Sequence, residues 1–337
     1  MSARKRILAP GLVPVVGEWE EQPDAAVLGE LQNELRLVAD VDARRPAKPE
    51  EWREAVRSAN IIAGPPRTDR AFLTAANELE MLQTFGIGYD QIDVEACTNG
   101  GIIVCNVGEI YSEPVAQHAW AMILALSKQV VRADRAMRSA TWRKHDWRGM
   151  QLWGKTLGVL GLGGIGGRIA LKGWMAFNMR VIACDPYVLP ARAQLYGAEL
   201  VNMDKLFSES DVLVVSLPLT KATRHLVAGS QLSLMKKTAV LVNVCRGPIV
   251  DQDSLVKCLR DGVISGAGLD VFEAEPLPED SPLLKMENVV LTPHIASSTV
   301  EAVDETYRGA VNNIIDYLEG RRPSWIVNPE AYGKRVH

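Results

Sequence analysis

The sequence predicts an α/β protein made of two doubly wound parallel-sheet domains, on three observations. Short apolar runs alternate with helix-period segments along most of the chain, the pattern of parallel strands joined by crossover helices. One stretch, residues 156–185, reads as strand, glycine turn, helix and strand in succession. The chain has 337 residues, long for a single core and suited to two domains of ordinary size.

In the first part of the chain the apolar runs fall at 6–9, 35–39, 61–63, 81–85 and 102–107. No G-x-G-x-x-G turn occurs there. The segment Phe85-Gly86-Ile87-Gly88-Tyr89-Asp90 stands where a strand should end, and open α/β sheets place ligands at C-terminal strand ends. Two glycines leave backbone N–H groups accessible to a small carboxylate, although six such residues also make an ordinary tight turn. From Ser112 to about Met137 the residues predict one long helix, with proline in its first turn and apolar groups on more than one side. Trp142, Trp147 and Trp153 punctuate the basic stretch that follows, and they suit either a subunit interface or packing between domains.

The second sheet is expected from apolar runs at 158–160, 180–184, 212–217, 239–244, 267–271 and 289–291. A short helix over 251–261 has Asp251 as its cap and Gly262 as its stop. A last amphipathic helix covers about 300–319 and ends at Gly320. The glycine turn Gly161-Leu162-Gly163-Gly164-Ile165-Gly166 opens this second half. Gly161 permits the tight turn, Gly163 lets backbone approach a pyrophosphate, and Gly166 lets the helix pack close to the strand. The first N–H groups of that helix then face an anion. Glycine turns also occur where nothing binds, but Asp185 lies 19 residues beyond Gly166 at a strand end, placed to accept from a ribose hydroxyl. The same carboxylate would repel a 2′-phosphate, which favours NAD over NADP, with Arg192 the one nearby feature that opposes this.

Composition narrows the function. The chain is 47% apolar and 23% charged with a net charge of −4, so it carries no basic footprint for nucleic acid. No run of about 18 apolar residues offers a membrane span, and the basic start lacks the apolar stretch of a signal peptide. Five scattered cysteines without a C-x-x-C pair read as reduced thiols of a cytoplasmic protein, and no metal site is expected.

Three polar residues fall at strand ends of the second sheet: Arg246, Glu275 and His294. Each alone has a structural explanation, as a helix-start salt bridge, a solvated carboxylate and a loop histidine. Together they fit hydride transfer to a ketone, which needs a proton donor, a cation for the substrate's carboxylate and a dry pocket. An imidazole titrates at about 6.5 and serves in both directions. Glu275 on its other ring nitrogen would fix the tautomer and raise its pKa, and Arg246 offers a fork matched to a carboxylate.

With these motifs in order (GLGGIG, VIACDPY, SLPLT at 216–220, NVCRGPIVD, GAGLDVFEAEP and LTPHIAS) the sequence resembles the D-isomer-specific 2-hydroxyacid dehydrogenase family over essentially its whole length. The resemblance implies a Rossmann-type NAD domain (111–299) inserted in a flavodoxin-like substrate domain (1–110 and 300–337). It implies that Arg246, Glu275 and His294 form the catalytic trio, with His294 as acid/base. Ile87 and Gly88 would bind the substrate carboxylate through backbone amides, together with Arg246. Asp270 would contact the nicotinamide carboxamide, and the cofactor site would extend over Gly164, Ile165, Pro218, Val244, Cys245, Ala296 and Ser297. The implied substrate is a small 2-keto or 2-hydroxy acid, and the implied assembly is a homodimer formed through the long helix and its following arm. Pro248 and Gln117 depart from the family's usual residues and bear on substrate identity. Glyoxylate, hydroxypyruvate and 3-phosphoglycerate are all open as substrates, as is a non-enzymatic NAD(H)-sensing corepressor.

Overall fold

The computed structural model describes residues 4–12, 22–44, 46–142, 147–332 and 334. Two compact units emerge, one from residues 1–111 and 298–337, the other from residues 112–297.

The first unit holds strands β1 (Arg6–Leu8), β2 (Asp40–Asp42), β3 (Ile61–Ala63), β4 (Met81–Gln83) and β5 (Ile103–Cys105). Between them run helices α1 (Ala25–Val38), α2 (Pro49–Val56), α3 (Arg70–Ala75) and α4 (Val94–Asn99). All strand pairs are parallel, in the order β2-β1-β3-β4-β5. Side-chain alternation assigns the two faces. Ile7, Ile61, Met81 and Ile103 pack with Leu28, Leu31 and Leu35 of α1, while Leu8, Ile62, Leu82 and Val104 pack with Val56, Leu79 and Cys97.

In the second unit α5 (Ser112–Ser127) and α6 (Val130–Arg138) precede β6 (Thr156–Leu160), α7 (Gly164–Phe177), β7 (Arg180–Cys184), α8 (Pro190–Leu195) and β8 (Ala198–Leu200). Then come α9 (Met203–Glu209), β9 (Val212–Val215), α10 (Gly229–Leu232), β10 (Val240–Asn243), α11 (Gln252–Arg260), β11 (Gly266–Leu269) and β12 (Val289–Leu291). The sheet order β12-β11-β10-β9-β6-β7-β8, parallel throughout, reverses between β6 and β9. Ligands bind doubly wound sheets at that reversal. After it the chain re-enters the first unit as α12 (Val300–Leu318), capped by Thr299, whose Tyr307 stacks on Phe85 at 4.3 Å. The architecture is the predicted one, two parallel-sheet α/β units with the seven-stranded one inserted in the five-stranded one.

Several local expectations are corrected. Residues 35–39 are not a strand: Leu28, Leu31 and Leu35 are spaced for one helical face, Asp24 caps α1 through the amides of Ala26 and Val27, and the strand follows at β2. The helix expected to run from Ser112 to about Met137 is broken in two, because Gln129 takes a left-handed backbone at φ 55°. There the Met150 amide donates to Ser127 O, and a Cβ on Gly149 would lie 2.2 Å from that oxygen. The edge strand β8 carries only three residues with one buried, too weak a pattern to read from sequence. Of the tryptophan stretch, Trp142 and Trp153 are exposed and Arg132 lies 5.7 Å from the Trp147 ring, while residues 143–146 fall outside the described residues.

Candidate active site

The glycine turn forms the first part of the site. Gly161 has φ 93°, and a Cβ there would lie 2.4 Å from Ser216 O. A Cβ on Gly166 would lie 2.0 Å from Gly161 O, so both positions demand glycine. Gly163 has open space where its Cβ would be, and it caps α7 without a side-chain hydrogen bond. The first N–H groups of α7, beginning at Gly164 and Ile165, are therefore open to an anion such as a pyrophosphate. Asp185, just past β7, accepts from the Leu162 amide at 2.8 Å and the Tyr187 amide at 2.9 Å. These bonds orient the carboxylate and leave lone pairs for ribose hydroxyls. The residues present thus fit a dinucleotide. Arg192 lies exposed on α8.

The second part lies along the C-terminal ends of β9 to β12. Pro218 follows β9, with its carbonyl accepting from Thr223 Oγ1 at 2.7 Å. Val244, Cys245 and Arg246 follow β10, and burial pushes the Cys245 thiol pKa up. Arg246 is half-buried; one guanidinium nitrogen donates to Cys245 O at 2.7 Å, and its own carbonyl accepts from Asn243 Nδ2 at 3.1 Å. Gly247 allows the loop to cross the chain after β11, since a Cβ there would lie 1.9 Å from Phe272. Glu275 Oε1 accepts from the Phe272 amide at 2.9 Å, and Glu275 Oε2 lies 2.8 Å from His294 Nδ1.

That last contact sets both ionisations. The Glu275 hydrogen bond raises the His294 pKa above its ordinary 6.5, outweighing partial desolvation. Burial acts to raise Glu275, but its bonds to His294 and to the Phe272 amide dominate and lower it below 4.5. The imidazolium–carboxylate form is therefore favoured, with Nε2 as the second ring nitrogen. Both side chains are partly open, at 45% and 37% exposure, so strand ends alone do not supply the expected dry pocket.

His294 has φ 56°, a left-handed backbone that costs about 1 kcal/mol or more in a non-glycine residue. Asp270 holds it there. Its backbone carbonyl accepts from the His294 amide at 2.8 Å, and its carboxylate accepts from Ile295 N and Ala296 N, both at 2.9 Å, and from Thr292 Oγ1 at 2.6 Å. The Asp270 side chain is only 1% exposed, so its visible work is to pin the loop 292–296, with Ser297 half-buried beyond. Thr292, and His118 bonded to it, carry no sequence signal for this role, since 174 residues separate them.

In the first unit the turn after β4 is tied by its carbonyls: Thr84 Oγ1 donates to Gly86 O, Asn106 Nδ2 to Ile87 O and Tyr111 OH to Phe85 O. Among the described residues no hydrogen bond uses the amides of Gly86, Ile87 or Gly88. Gln117 donates to Glu113 at 2.9 Å, and Pro248 sits in the turn after Arg246, its carbonyl accepting from the His225 amide.

A glycine turn open to an anion at the sheet reversal and a carboxylate-braced histidine at the strand ends are presented by a fold that dinucleotide-dependent oxidoreductases use. Comparison with known proteins places it further. Residues 120–296 match the model of the D-isomer specific 2-hydroxyacid dehydrogenase, NAD binding domain. A glyoxylate reductase of Korarchaeum cryptofilum is 40% identical over 78% of this chain and 80% of its own length. A glyoxylate/hydroxypyruvate reductase B of Yersinia pestis is 37% identical, covering 87% of this chain and 91% of its own. The D-lactate dehydrogenase of Aquifex aeolicus, solved with NAD and lactic acid, superposes with a TM-score of 0.82 at 27% identity, covering 96% of this chain and 99% of that one. The chain belongs to the D-isomer specific 2-hydroxyacid dehydrogenase family and is an NAD-dependent enzyme of that class.

Proposed function

We propose that the enzyme reduces a small 2-keto acid, glyoxylate or hydroxypyruvate, with NADH, and that His294 is its acid/base. The observation that carries the reading is the 2.8 Å contact between His294 Nδ1 and Glu275 Oε2, which favours the protonated ring and leaves Nε2 for the substrate. With its pyrophosphate held at the glycine cradle, the dinucleotide would supply the hydride from its nicotinamide. His294 gives its Nε2 proton to the carbonyl oxygen as the carbon accepts that hydride, and takes it back in the reverse direction. Arg246 and the amides of Ile87 and Gly88 hold the substrate carboxylate. The names of the relatives support the two substrates over 3-phosphoglycerate.

The domains carry these tasks as 1–110 with 300–337 for substrate and 111–299 for NAD. NAD is preferred to NADP because Asp185 presents fixed negative charge where a 2′-phosphate would lie. Exposed Val130, Met137, Trp142 and Trp153 support a homodimer through α6 and the arm after it. Five free cysteines, with Cys97 and Cys105 pushed up to about 12 by burial, suit the cytoplasm. Among the described residues no helix is long and apolar enough to cross a membrane.

A panel of 2-keto acids assayed by NADH absorbance tests the reading. Turnover is expected with glyoxylate and hydroxypyruvate, and faster with NADH than with NADPH. Inactivity across the panel alongside tight NADH binding would favour the sensing role instead. Arg246→Ala is expected to raise KM for the keto acid about 10- to 100-fold, as loss of a charged hydrogen-bonding fork does. KM for NADH should stay put; an equal rise in both would remove the carboxylate role.

A further inference from the structure

His118 lies in α5, a helix that packs across β10, β11 and β12, the strands that end at the candidate site. Its close approach depends on Gly268 of β11, where a Cβ would already meet Met122 Cβ at 3.1 Å. The helix thereby delivers an imidazole to the underside of the loop that carries His294. His118 Nε2 lies 2.9 Å from Thr292 Oγ1 and 3.6 Å from Asp270 Oδ1, so Thr292 is the hydrogen-bonded link between the two.

The direction of each bond follows from the donors available. Asp270 accepts from the Thr292 hydroxyl at 2.6 Å, which commits that proton to the carboxylate. Thr292 Oγ1 can then only accept, so His118 donates through Nε2–H. The result is a chain, His118 to Thr292 to the Asp270 carboxylate, which also receives the amides of Ile295 and Ala296, while the His294 amide donates to the Asp270 backbone carbonyl. His118 is 19% exposed and Asp270 1%, so little solvent competes for these bonds. The left-handed backbone of His294 needs such over-determination to persist.

We propose that His118 is a positioning residue for His294, acting through Thr292 and Asp270. It sets the Thr292 rotamer, Thr292 orients the Asp270 carboxylate, and Asp270 fixes both flanks of His294. The proposal rests on the acid/base reading of His294 given above. A proton donor held about an ångström off its productive position loses on the order of 100-fold in rate, which scales the expected effect.

The test is a double-mutant cycle on the full-length enzyme with His118→Phe, Thr292→Val and the two combined, plus His118→Gln, whose side-chain amide restores a donor at similar reach. Removing either side chain should lower kcat for reduction about 10- to 100-fold, with KM for NADH changed less than about twofold. The combined variant should be no slower than the slower single variant, because both break one chain. His118→Gln should recover most of the loss. Amide hydrogen exchange at Ile295 and Ala296, measured without substrate, should quicken in His118→Phe and return in His118→Gln. An unchanged kcat in His118→Phe, additive losses in the combined variant, or a fall in kcat with no change in exchange would each overturn the proposal. If His118→Phe does not fold, Thr292→Val and His118→Gln decide, and wild-type kinetics in the first with no loss in the second would also overturn it. Failure of the underlying reading shows separately, as a wild-type enzyme that turns over no keto acid.

Discussion

Replacing His294 with alanine is expected to lower kcat for keto-acid reduction about 10²–10⁴-fold, the range for removing a positioned proton donor. NADH should still bind, because its cradle at Gly161 to Gly166 and Asp185 is built from other strand ends of the same sheet. Alanine removes the ring but keeps a Cβ on a backbone at φ 56°, so the loop itself could relax. His294→Asn is the sharper variant, since asparagine tolerates left-handed backbone better than most residues and cannot act as an acid near neutrality. Steady-state kinetics and NADH fluorescence titration on both variants separate the two effects. Equal loss of kcat in both, with NADH affinity intact, is the expected result. Wild-type turnover in either variant would remove His294 from the mechanism, and loss of NADH binding in His294→Asn would make the ring a structural brace.

The parts of this molecule that sequence discloses are those whose chemistry is local. The glycine turn is readable from its spacing, although the demands behind it are only partly local: a Cβ at Gly166 would meet Gly161 O, whereas one at Gly161 would meet Ser216 O. Arg246, Glu275 and His294 stood out because each follows an apolar run, and strand ends are where such sheets work. The capping of α11 by Asp251 and of α12 by Thr299 is equally local. What sequence did not disclose depends on separation in the chain. The break between α5 and α6 lies at the left-handed Gln129, next to a Ser127 carbonyl that accepts from the Met150 amide far along the chain. The run at 35–39 misled because a few apolar residues suit a strand or the last turn of a helix equally, and only the Asp24 cap and the Leu28, Leu31, Leu35 face decide. The burial of Asp270 and its link to His118 require two strand ends and one helix to converge, and no spacing along the chain encodes that.

Glu275→Gln is expected to move the pH dependence of reduction to lower pH and to cost about 10- to 10³-fold in kcat on the alkaline side of the native His294 titration, the range that loss of one adjacent charge implies. On the proposed mechanism, reduction needs the imidazolium. In the native enzyme Glu275 raises the His294 pKa above 6.5, so the reductive rate holds below that raised value and declines as pH climbs through it. Oxidation needs the neutral ring and runs the opposite way, gaining as pH climbs through the same value. Glutamine at position 275 can still accept from Nδ1–H, so the ring keeps its orientation, but it carries no charge to favour the imidazolium. The His294 pKa then drops, and at any pH between the variant and native values the native ring is mostly protonated while the variant ring is mostly neutral. The loss in reduction should therefore shrink as pH is lowered, and oxidation of the 2-hydroxy acid should begin to rise at a lower pH than in the native enzyme. Arg246, whose charge acts to lower the His294 pKa, is present in both enzymes, so the drop comes from the lost Glu275 charge alone. Rate profiles in both directions between about pH 5 and 10 read the shift, and coincident limbs for native enzyme and variant would show that Glu275 orients the histidine without setting its charge.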